Sequence, residues 1–590
     1  MADTLTLVLV AVLGFTLAGL GAKSRGLLPG WLQLSGPIVT LHTDRGKALL
    51  TKLAQPKRFW RAWGNLGVGI ALIVMAGSFV LVLLGGLQAL ANPQPTQLTQ
   101  PRNVLAIPGV NDFLPLSAAP EIVAALLVGL VVHEGGHGLL SRVEDIEIDS
   151  MGLALLAFIP VGAFVEPDEQ QQADASRGAR TRMFAAGITN NFAVAIVAFA
   201  LLFGPVAGSI AVVSGAPIAG ALPGGAAAQG GVDRGDVITS VDGTQVTTPA
   251  EFDTLLDSTD ERTVSVALES GETTSVERSL TVTGAGANAP FGINTTIARV
   301  NTTAVYTEPG LTAAVTDREV ATIESAAGER VTTPIGAYTN VSQPGERGPS
   351  PLADASGLGG ESFVVTAFDG NRVVDSETLG SLLDETDPGQ SVTVAGYHDG
   401  ERRTFDVTLA AHPREDTGFL GVTIQPGVTG MSVDDFGVEE YPADVFLTAL
   451  GGSGDDGLNG IQRAAFTISL PFAAVTLPNV DQPFPGFVGV YENFYVAGDG
   501  PLVFLGTGPL LLFATLLFWI AWINVILGQF NCVPAFPLDG GRILRTSTEA
   551  VVSRLPLSEK YAATRAVTVT IGLSMLVSLL ATIFAPQLLG

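Results

Sequence analysis

The sequence predicts a polytopic α-helical membrane protein with small α/β domains inserted between two of its helices. Composition is the first indication. The 590-residue chain has a mean hydropathy of +0.41 and only 15% charged residues, too few for the surface of a soluble protein of this size. The second indication is a set of apolar segments of roughly 18 or more residues, the length that crosses a hydrocarbon core of ~30 Å. The third is a long polar segment, Val206 to Gly500, that contains stretches of β-type alternation.

Six apolar segments are predicted to span the membrane. The first, Thr4 to Ala22, is expected to be an anchor rather than a cleaved signal peptide, because no basic region precedes it and Asp3 stands where Lys or Arg would be expected. The other five are Asn65 to Ala91, Glu121 to Ser141, Met183 to Pro205, Leu502 to Phe530 and Ala566 to Ala585. The predicted membrane parts are therefore residues 1–205 and 502–590.

The placement of basic residues predicts the orientation. Seventeen of the 30 basic residues lie in three short stretches, 23–61, 142–182 and 542–565. Because cytoplasmic loops are enriched in Lys and Arg, these stretches are expected in the cytoplasm. Both termini and the segment 206–500 are then expected outside a cell membrane that the chain crosses several times.

Charge and cysteine content restrict the environment, the partners and the disulfide bonds that can be expected. The net charge is −26 and the pI is near 4.5. We interpret this as adaptation to high salt, where carboxylate-rich surfaces stay hydrated; a merely acidic exterior is the alternative, and both disfavour nucleic acid as a partner. The single cysteine, Cys532, excludes an internal disulfide.

The outer segment contains a repeat at an offset of 127 residues: Ile238 to Gly243 aligns with Val365 to Gly370, and Leu255 to Asp260 with Leu382 to Asp387. Each copy predicts a strand, an Asp-Gly hairpin turn, a short helix and further strands. The predicted domains cover 206–290 and 291–424, the second with an irregular insertion over 301–360. Residues 425–501 are predicted as an interfacial or linker region, with an amphipathic helix on the membrane surface from Gly460 to Leu477.

The first copy resembles a PDZ domain, on the residues Gly224 to Asp236 and the Val-Asp-Gly turn that follows them. The second copy is similar but matches more weakly. PDZ domains bind an extended peptide by adding it to a sheet edge. The resemblance therefore implies two inserted PDZ-like α/β domains with peptide ends as partners; a spacer of the same fold without a ligand is the alternative.

The third apolar segment carries the motif His133-Glu134-Gly135-Gly136-His137. Two histidines at i and i+4 share one helix face and can bind one zinc ion, with the glutamate between them as general base. The motif alone is only moderately specific. Inside a membrane-length segment it indicates a functional site, because ionisable groups are costly in lipid.

A catalytic zinc needs a third protein ligand, and Asp539 is the best candidate. It follows the fifth predicted span in Asn531-Cys-Val-Pro-Ala-Phe-Pro-Leu-Asp-Gly-Gly541, at a depth similar to that of His137. Pro534 and Pro537 forbid a regular helix there, so Asp539 is expected on unwound backbone. A helix-end turn with Asp539 facing the cytoplasm is the alternative. The remaining histidines, His42, His398 and His412, lie in loops without an obvious route to the metal.

Four motifs in this order resemble the site-2 proteases, a family of intramembrane zinc metalloproteases. The first is the zinc helix at 133–137. The segment from Met151 to Glu166, with Phe158 near its centre, resembles the family's re-entrant β-loop. Gly187 to Phe192 resembles its asparagine-bearing helix, although Ile188 stands where proline is common. Residues 531–541 match its last motif, and outer PDZ domains are similar to the bacterial branch.

The resemblance implies a role for each matching residue. His133, His137 and Asp539 would bind one zinc ion per chain, and Glu134 would be the catalytic base. Asn531 would hold the substrate or the developing oxyanion, as an uncharged donor can. Pro160, Gly162 and Asn191 would contribute to substrate binding, whereas Cys532 would only pack.

The implied function is cleavage of the transmembrane segments of single-span membrane proteins, which can include a membrane-tethered regulator. A helical substrate must unwind to expose a peptide bond, and the stretch from Gly152 to Val165 could offer it a strand edge; a half-helix that plugs the bundle is the alternative. Two other classes stay open: a membrane-attached zinc peptidase that acts on soluble chains, and a catalytically silent membrane scaffold that presents PDZ-like domains.

Overall fold

The computed structural model describes residues 4–93, 100, 103, 107–111, 113–156, 159–286, 288–343, 348–413, 416–452, 457–476 and 482–589. The chain divides into two compact units. Residues 1–212 and 442–590 form the first, the helical unit, and residues 213–441 form the second, the sheet unit. Each has its own buried core.

The helical unit is built on long apolar helices. Five helical stretches in the described part of the chain are long and apolar enough to cross a membrane: Lys57–Ala91, Leu116–Val143, Arg177–Ser209, Thr507–Asn531 and Lys560–Leu589. They match five of the six predicted spans. The remaining one, predicted from Thr4 to Ala22, coincides with helix α1. The helices of the unit are α1 (Thr4–Ser24), α2 (Asp44–Leu53), α3 (Lys57–Ala91), α4 (Ala119–Val143), α5 (Glu169–Asp174), α6 (Arg177–Leu201), α12 (Ala443–Ala449), α13 (Gly460–Ser469), α14 (Ala473–Thr476), α15 (Thr507–Asn531), α16 (Asp539–Val552) and α17 (Lys560–Leu589), the numbers α7 to α11 belonging to the sheet unit.

Helix α6 is the centre of the bundle and packs against α3, α4 and α15. Small residues make these contacts close. A Cβ added to Gly136 of α4 would lie 2.8 Å from the carbonyl oxygen of Ala186, and one added to Gly528 of α15 would lie 2.9 Å from the Phe192 ring. Glycines at helix interfaces let backbones approach closely in membranes. Because α4 and α15 both pack closely on α6, they also contact each other.

The predicted β-loop is a hairpin within a four-stranded antiparallel sheet. The strands lie in the order β1 (Leu32–Ser35), β2 (Ile38–His42), β3 (Ile148–Leu156) and β4 (Ile159–Pro167). The strand prediction is confirmed and the half-helix alternative is wrong, although Phe158 at the tip lies outside the described residues. Strands β1 and β2, more than a hundred positions earlier, extend this sheet and were not predicted.

Residues 442–500 belong to the helical unit. The expected helix from Gly460 begins as predicted, with a capping box at Asn459, but α13 ends at Ser469; Leu477, the expected end, lies outside the described residues. Trp519 and Trp522 of α15 donate hydrogen bonds from Nε1 to the carbonyls of Pro485 (3.0 Å) and Ile468 (2.9 Å). This region therefore packs on α15, and strand β26 (Tyr495–Ala497) pairs with β5 (Ile210–Val212).

The sheet unit contains three similar modules instead of the two predicted. The first has strands β6 (Ala216–Ala221), β7 (Val237–Val241), β8 (Thr244–Gln245), β9 (Thr263–Leu268), β10 (Thr273–Glu277) and β25 (Val438–Glu440), with helices α7 (Ala226–Gln229) and α8 (Pro249–Asp257). The second has strands β11 (Thr281–Ala285), β12 (Ile297–Val300), β13 (Thr303–Ala304), β14 (Val320–Ser325), β15 (Arg330–Pro334) and β24 (Met431–Asp434), with helix α9 (Glu308–Val315). The third has strands β16 (Ala337–Val341), β17 (Ser362–Phe368), β18 (Asn371–Arg372), β19 (Ser391–His398), β20 (Glu401–Thr408), β21 (Ala410–Ala411), β22 (Gly418–Phe419) and β23 (Val422–Ile424), with helices α10 (Pro351–Ser356) and α11 (Ser376–Asp384).

One hydrogen bond identifies the middle module as a copy of the other two. In each module the turn residue has positive φ, and its N–H donates to a carbonyl on the strand that follows the helix: Asp242 to Ser265 (2.7 Å), Asn301 to Thr322 (2.7 Å) and Asp369 to Thr393 (2.8 Å). The prediction of an irregular insertion over 301–360 is therefore wrong for residues 301–341, which form regular strands and a helix.

The modules are nested in the chain. The third lies between β15 and β24 of the second, and both lie between β10 and β25 of the first. Strand β25 returns to pair with β6, and β24 pairs with β11. The predicted domain ends at 290 and 424 are therefore also wrong, because residues 425–441 are not a linker but complete the first and second modules.

Candidate metal centre

Helix α4 and the start of α16 bring three predicted metal ligands together. The Nε2 atoms of His133 and His137 lie 3.2 Å apart, and the Asp539 Oδ2 atom lies 3.1 Å and 3.0 Å from them. His133 and Asp539 are buried and His137 is largely so, with side-chain exposed fractions of 8%, 8% and 12%. Two imidazole nitrogens and one carboxylate oxygen that converge in this way match the donor set of a catalytic zinc site, and the group can hold a metal ion.

Neighbouring backbone fixes the orientation of these ligands. The Nδ1 atom of His137 donates to the Met183 carbonyl oxygen at 2.8 Å, which leaves its Nε2 lone pair for a metal. Gly187, one turn further along α6, lies against both rings. A Cβ there would come within 2.8 Å of the His133 Nδ1 and His137 Nε2 atoms. Sequence reasoning placed Gly187 in a family motif but did not assign it this contact.

Asp539 is positioned by an irregular loop between α15 and α16. The loop contains a cis peptide bond between Phe536 and Pro537. The expectation that Asp539 lies on unwound backbone is wrong. Asp539 is the first residue of α16, where the free N–H groups and the helix dipole favour a carboxylate. It is 6% exposed, so the alternative in which it faces the cytoplasm is wrong.

Glu134 lies on the same helix between the two histidines and points toward the β-hairpin. Its Oε2 atom accepts a hydrogen bond from the Val165 N–H of β4 at 3.3 Å. Glu134 and the three metal-binding residues line one cavity of about 690 Å³, together with Glu166 and others. A carboxylate beside a metal group but outside it is suited to proton transfer.

The remaining predicted site residues are placed less uniformly. Asn531 lines the cavity, but its Nδ2 atom donates to the Leu527 carbonyl of its own helix at 3.0 Å. Asn191 is fully buried in α6, and no partner of its side-chain amide is found among the described residues. Gly162 and Pro160 lie on β4, and the Pro160 side chain is outside the described part.

The other three histidines make contacts of their own within their units. His42 is on β2, where its Nε2 atom contacts the Thr40 hydroxyl at 3.2 Å. His398 donates from Nδ1 to the Ser362 carbonyl in the sheet unit, at 2.9 Å. His412 stacks edge-on with Phe419. Cys532 is fully buried next to the loop, as expected for a packing residue.

Two curated proteins are similar to parts of this chain. An uncharacterized protein of Methanocaldococcus jannaschii is 30% identical over 166 residues, which is 28% of this chain and 42% of that protein. A membrane-bound transcription factor site-2 protease homolog of Arabidopsis thaliana is 29% identical over 199 residues, 33% of this chain and 37% of that protein. The chain thus aligns with less than half the length of either relative.

A family-level comparison covers much more of the chain. Residues 121–579 match peptidase family M50, a range that begins in α4 and ends in α17. It includes the two histidines, the glutamate and the aspartate of the cavity described above, together with the inserted sheet unit. The match extends over more than half of the sequence, and the chain belongs to peptidase family M50.

Proposed function

We propose that this chain is a zinc-dependent intramembrane endopeptidase that cleaves the transmembrane segments of single-span membrane proteins. Membership in a family of membrane metalloproteases supports the reaction class. The observation that carries the finer proposal is the position of the metal group, His133, His137 and Asp539, between helices that are long and apolar enough to span a membrane. The two alternatives, a peptidase for soluble chains and a silent scaffold, are not favoured by the family match.

In this proposal His133, His137 and Asp539 hold the zinc ion. Zinc bound there supplies the Lewis acidity that polarises a peptide carbonyl and acidifies water. Glu134 then takes the proton of the attacking water on its carboxylate and passes it to the leaving amine. Asn531 would donate to the substrate carbonyl after its side chain turns away from Leu527.

Strand β4 is the proposed receiving edge for the unwound substrate. Its Val165 N–H points away from β3 and toward Glu134. Ala163 is two residues earlier on the same strand, so its N–H points in the same direction. A substrate stretch added along this edge would place its backbone beside the catalytic base. Gly162 and Pro160 on the same strand, with Asn191 on α6, are the proposed substrate-binding positions around it.

The modules of the sheet unit are proposed to bind peptide ends on their edge strands. Strands β25 and β23 each end the order of a sheet, as a peptide-accepting edge requires. The loop before β25 argues against the first module, because the Asp434 Oδ1 atom already accepts the N–H groups of Phe436 (2.8 Å) and Gly437 (2.7 Å). The third module is therefore the better candidate.

The experiment that tests the proposed function combines metal analysis with cleavage. The wild-type protein, purified in detergent, should contain about one zinc ion per chain and cleave a single-span test substrate within its membrane segment. Glu134→Gln should keep the zinc and lose cleavage, because the base is not a ligand. Asp539→Ala should lose both. Full zinc occupancy in Asp539→Ala, or cleavage only outside the membrane segment, would overturn the proposal.

A further inference from the structure

A second cavity lies on the other side of the loop that carries Asp539. Its volume is about 790 Å³, and it is bounded by α16, by α17 and by the loop residues Pro534 to Phe536. It shares no lining residue with the catalytic cavity. We call it the α16–α17 groove. Residues 534–536 face the groove and residues 537–539 face the catalytic cavity, so one short loop separates the two.

Positive charge is concentrated at one end of this groove. Four basic residues line it, Arg177, Arg545, Lys560 and Arg565, against a single carboxylate, Glu549. Basic residues therefore outnumber acidic ones in the groove, whereas acidic residues predominate in the chain as a whole, with 56 acidic and 30 basic residues. Glu549 is itself neutralised, with its Oε1 atom 3.3 Å from Arg545 Nε and its Oε2 atom 3.6 Å from an Arg180 nitrogen.

Two of these cations are available to a ligand. The Arg565 guanidinium has no hydrogen-bond or ion-pair partner among the described residues, and the residue is exposed. Lys560 donates to the Ser553 carbonyl at 2.8 Å, which leaves two of its three donor positions. Both lie in the first turns of α17, where an amphiphile would place its polar head if the helix enters the membrane from this end.

The rest of the groove is apolar. Leu544, Val569, Leu573 and Leu576 line it further along the helices, and Leu573 and Leu576 are 55% and 50% exposed. Tyr561 at the basic end is 72% exposed, an arrangement typical of the interface between headgroups and chains. The groove thus changes from cationic to apolar in the direction in which α17 runs into the bundle.

We propose that the α16–α17 groove binds one anionic phospholipid. Its phosphate contacts Lys560 and Arg565, and an acyl chain lies along Leu573 and Leu576. The bound lipid also packs on the loop at 534–536, and so supports the segment that presents Asp539 to the metal group. This inference depends on the membrane location of the helices and not on the proposed catalytic activity.

The test is lipid retention measured by native mass spectrometry. The full-length protein is equilibrated with equal amounts of phosphatidylglycerol and phosphatidylcholine. The wild type should retain phosphatidylglycerol preferentially. The double variant Lys560→Gln/Arg565→Gln should lower that preference by roughly 30-fold, since each basic residue near an anionic headgroup contributes a factor of about five. A matched double variant, Lys52→Gln/Arg58→Gln, removes two exposed cations outside the groove and should retain the preference.

Three results would overturn the proposal. One is equal retention of both lipids by the wild type. Another is an unchanged preference in Lys560→Gln/Arg565→Gln when its thermal unfolding matches that of the wild type. The third is displacement of the lipid by millimolar glycerol 3-phosphate, which would make the groove a site for a soluble phosphate. In contrast, Leu573→Asn should weaken lipid retention without creating affinity for glycerol 3-phosphate.

Discussion

At the scale of single residues, Gly187 decides whether the two histidines can share a metal. A Cβ at this position would lie 2.8 Å from ring atoms of both His133 and His137. Gly187→Ala should therefore displace the rings and lower zinc content well below that of the wild type. Gly135→Ala on the metal helix is the matched control, because no atom lies within 4 Å of a Cβ there. It should keep zinc and stabilise α4 by up to about 1 kcal/mol.

Zinc content measured after dialysis separates the two variants. Full occupancy in Gly187→Ala would mean that the rings can move without losing the metal, and would contradict the tight contact. Loss of zinc in Gly135→Ala would instead show that any change in α4 disturbs the site.

Glu440 in the sheet unit should make stability depend on pH. Burial raises its pKa from 4.5 to about 7, with a smaller contribution from the Asp253 carboxylate. The folded protein therefore holds a proton that the unfolded chain releases near pH 4.5. This contribution to stability is complete below pH 4.5 and is lost as pH rises to about 7. Glu440→Gln should reduce the fall in unfolding temperature between pH 5 and pH 8, as measured by calorimetry.

Glu272→Gln is the control, since it removes an exposed carboxylate of the same unit. An identical pH dependence in the wild type and Glu440→Gln would show that the Glu440 carboxyl ionises freely in the folded protein.

Motif spacing predicted the residues of the metal group but not those that hold them in place. His133 and His137 share a helix face by spacing alone. Asp539 was predicted from its place after the fifth predicted span, at a depth similar to that of His137, and from the match to the last family motif. The Met183 carbonyl and Gly187 act through contacts between helices distant in sequence, which no local pattern encodes. The start of α16 at Asp539 was not predicted, because Pro534 and Pro537 suggested that the irregular backbone continues to Asp539. The irregular loop instead ends just before that residue.

At the scale of elements, the open edge of β4 carries the proposed substrate contact. Ala163→Pro removes an N–H that points away from β3, so it should lower cleavage roughly five- to tenfold, the value of about one hydrogen bond. Zinc content should not change, because Ala163 is not part of the metal group. Ala163→Val keeps the N–H and should cleave at a rate close to that of the wild type. Equal rates for all three proteins would place the substrate elsewhere.

Elements were predictable where a pattern is long or repeated. Apolar length predicted the spanning helices, and the Asp-Gly turns predicted two modules. The middle module was not predicted because its turn reads Asn301-Thr302 and lacks the Asp-Gly pair of the other two turns. Asn301 nevertheless adopts positive φ, as Asp242 and Asp369 do. Strands β1 and β2 have only four and five residues, so their sequence contained too little pattern to show them. They pair with each other, and β2 pairs with β3 across the chain.

At the scale of the whole molecule, the orientation in the membrane is a prediction from charge. In a Cys532→Ser background, new cysteines at Ser176 and Ser258 report on the two sides, and both positions are exposed. An impermeant reagent added outside intact cells should label position 258 and not position 176. The opposite pattern would reverse the predicted orientation, and labelling of both would contradict the number of spans.

The sheet unit should limit access to the site rather than build it. A deletion of residues 220–411, inside the predicted domains, would leave strands β23 and β24 without their partners and would shorten the partner of β25. The structure indicates a deletion of Val213–Tyr441, replaced by a short flexible linker. This variant should cleave a short single-span substrate about as well as the wild type, and should cleave a substrate with a folded outer domain faster.

Both substrates have to be compared in the same preparation, with zinc content as the check on folding. A stable, zinc-bound deletion variant that fails on both substrates would show that the sheet unit is needed for the reaction itself.

The order of the metal-binding residues along the chain also has a consequence during synthesis. His133 and Asp539 are 406 positions apart in the chain, with the entire sheet unit between them. A ribosome that adds 5 to 20 residues per second needs roughly 20 to 80 s to pass from one to the other. During that interval the nascent chain carries the glutamate and both histidines but lacks the carboxylate that completes the group. Under the proposed function, a chain released during that interval lacks a complete metal group, and the modules proposed to restrict access are made before Asp539 completes that group.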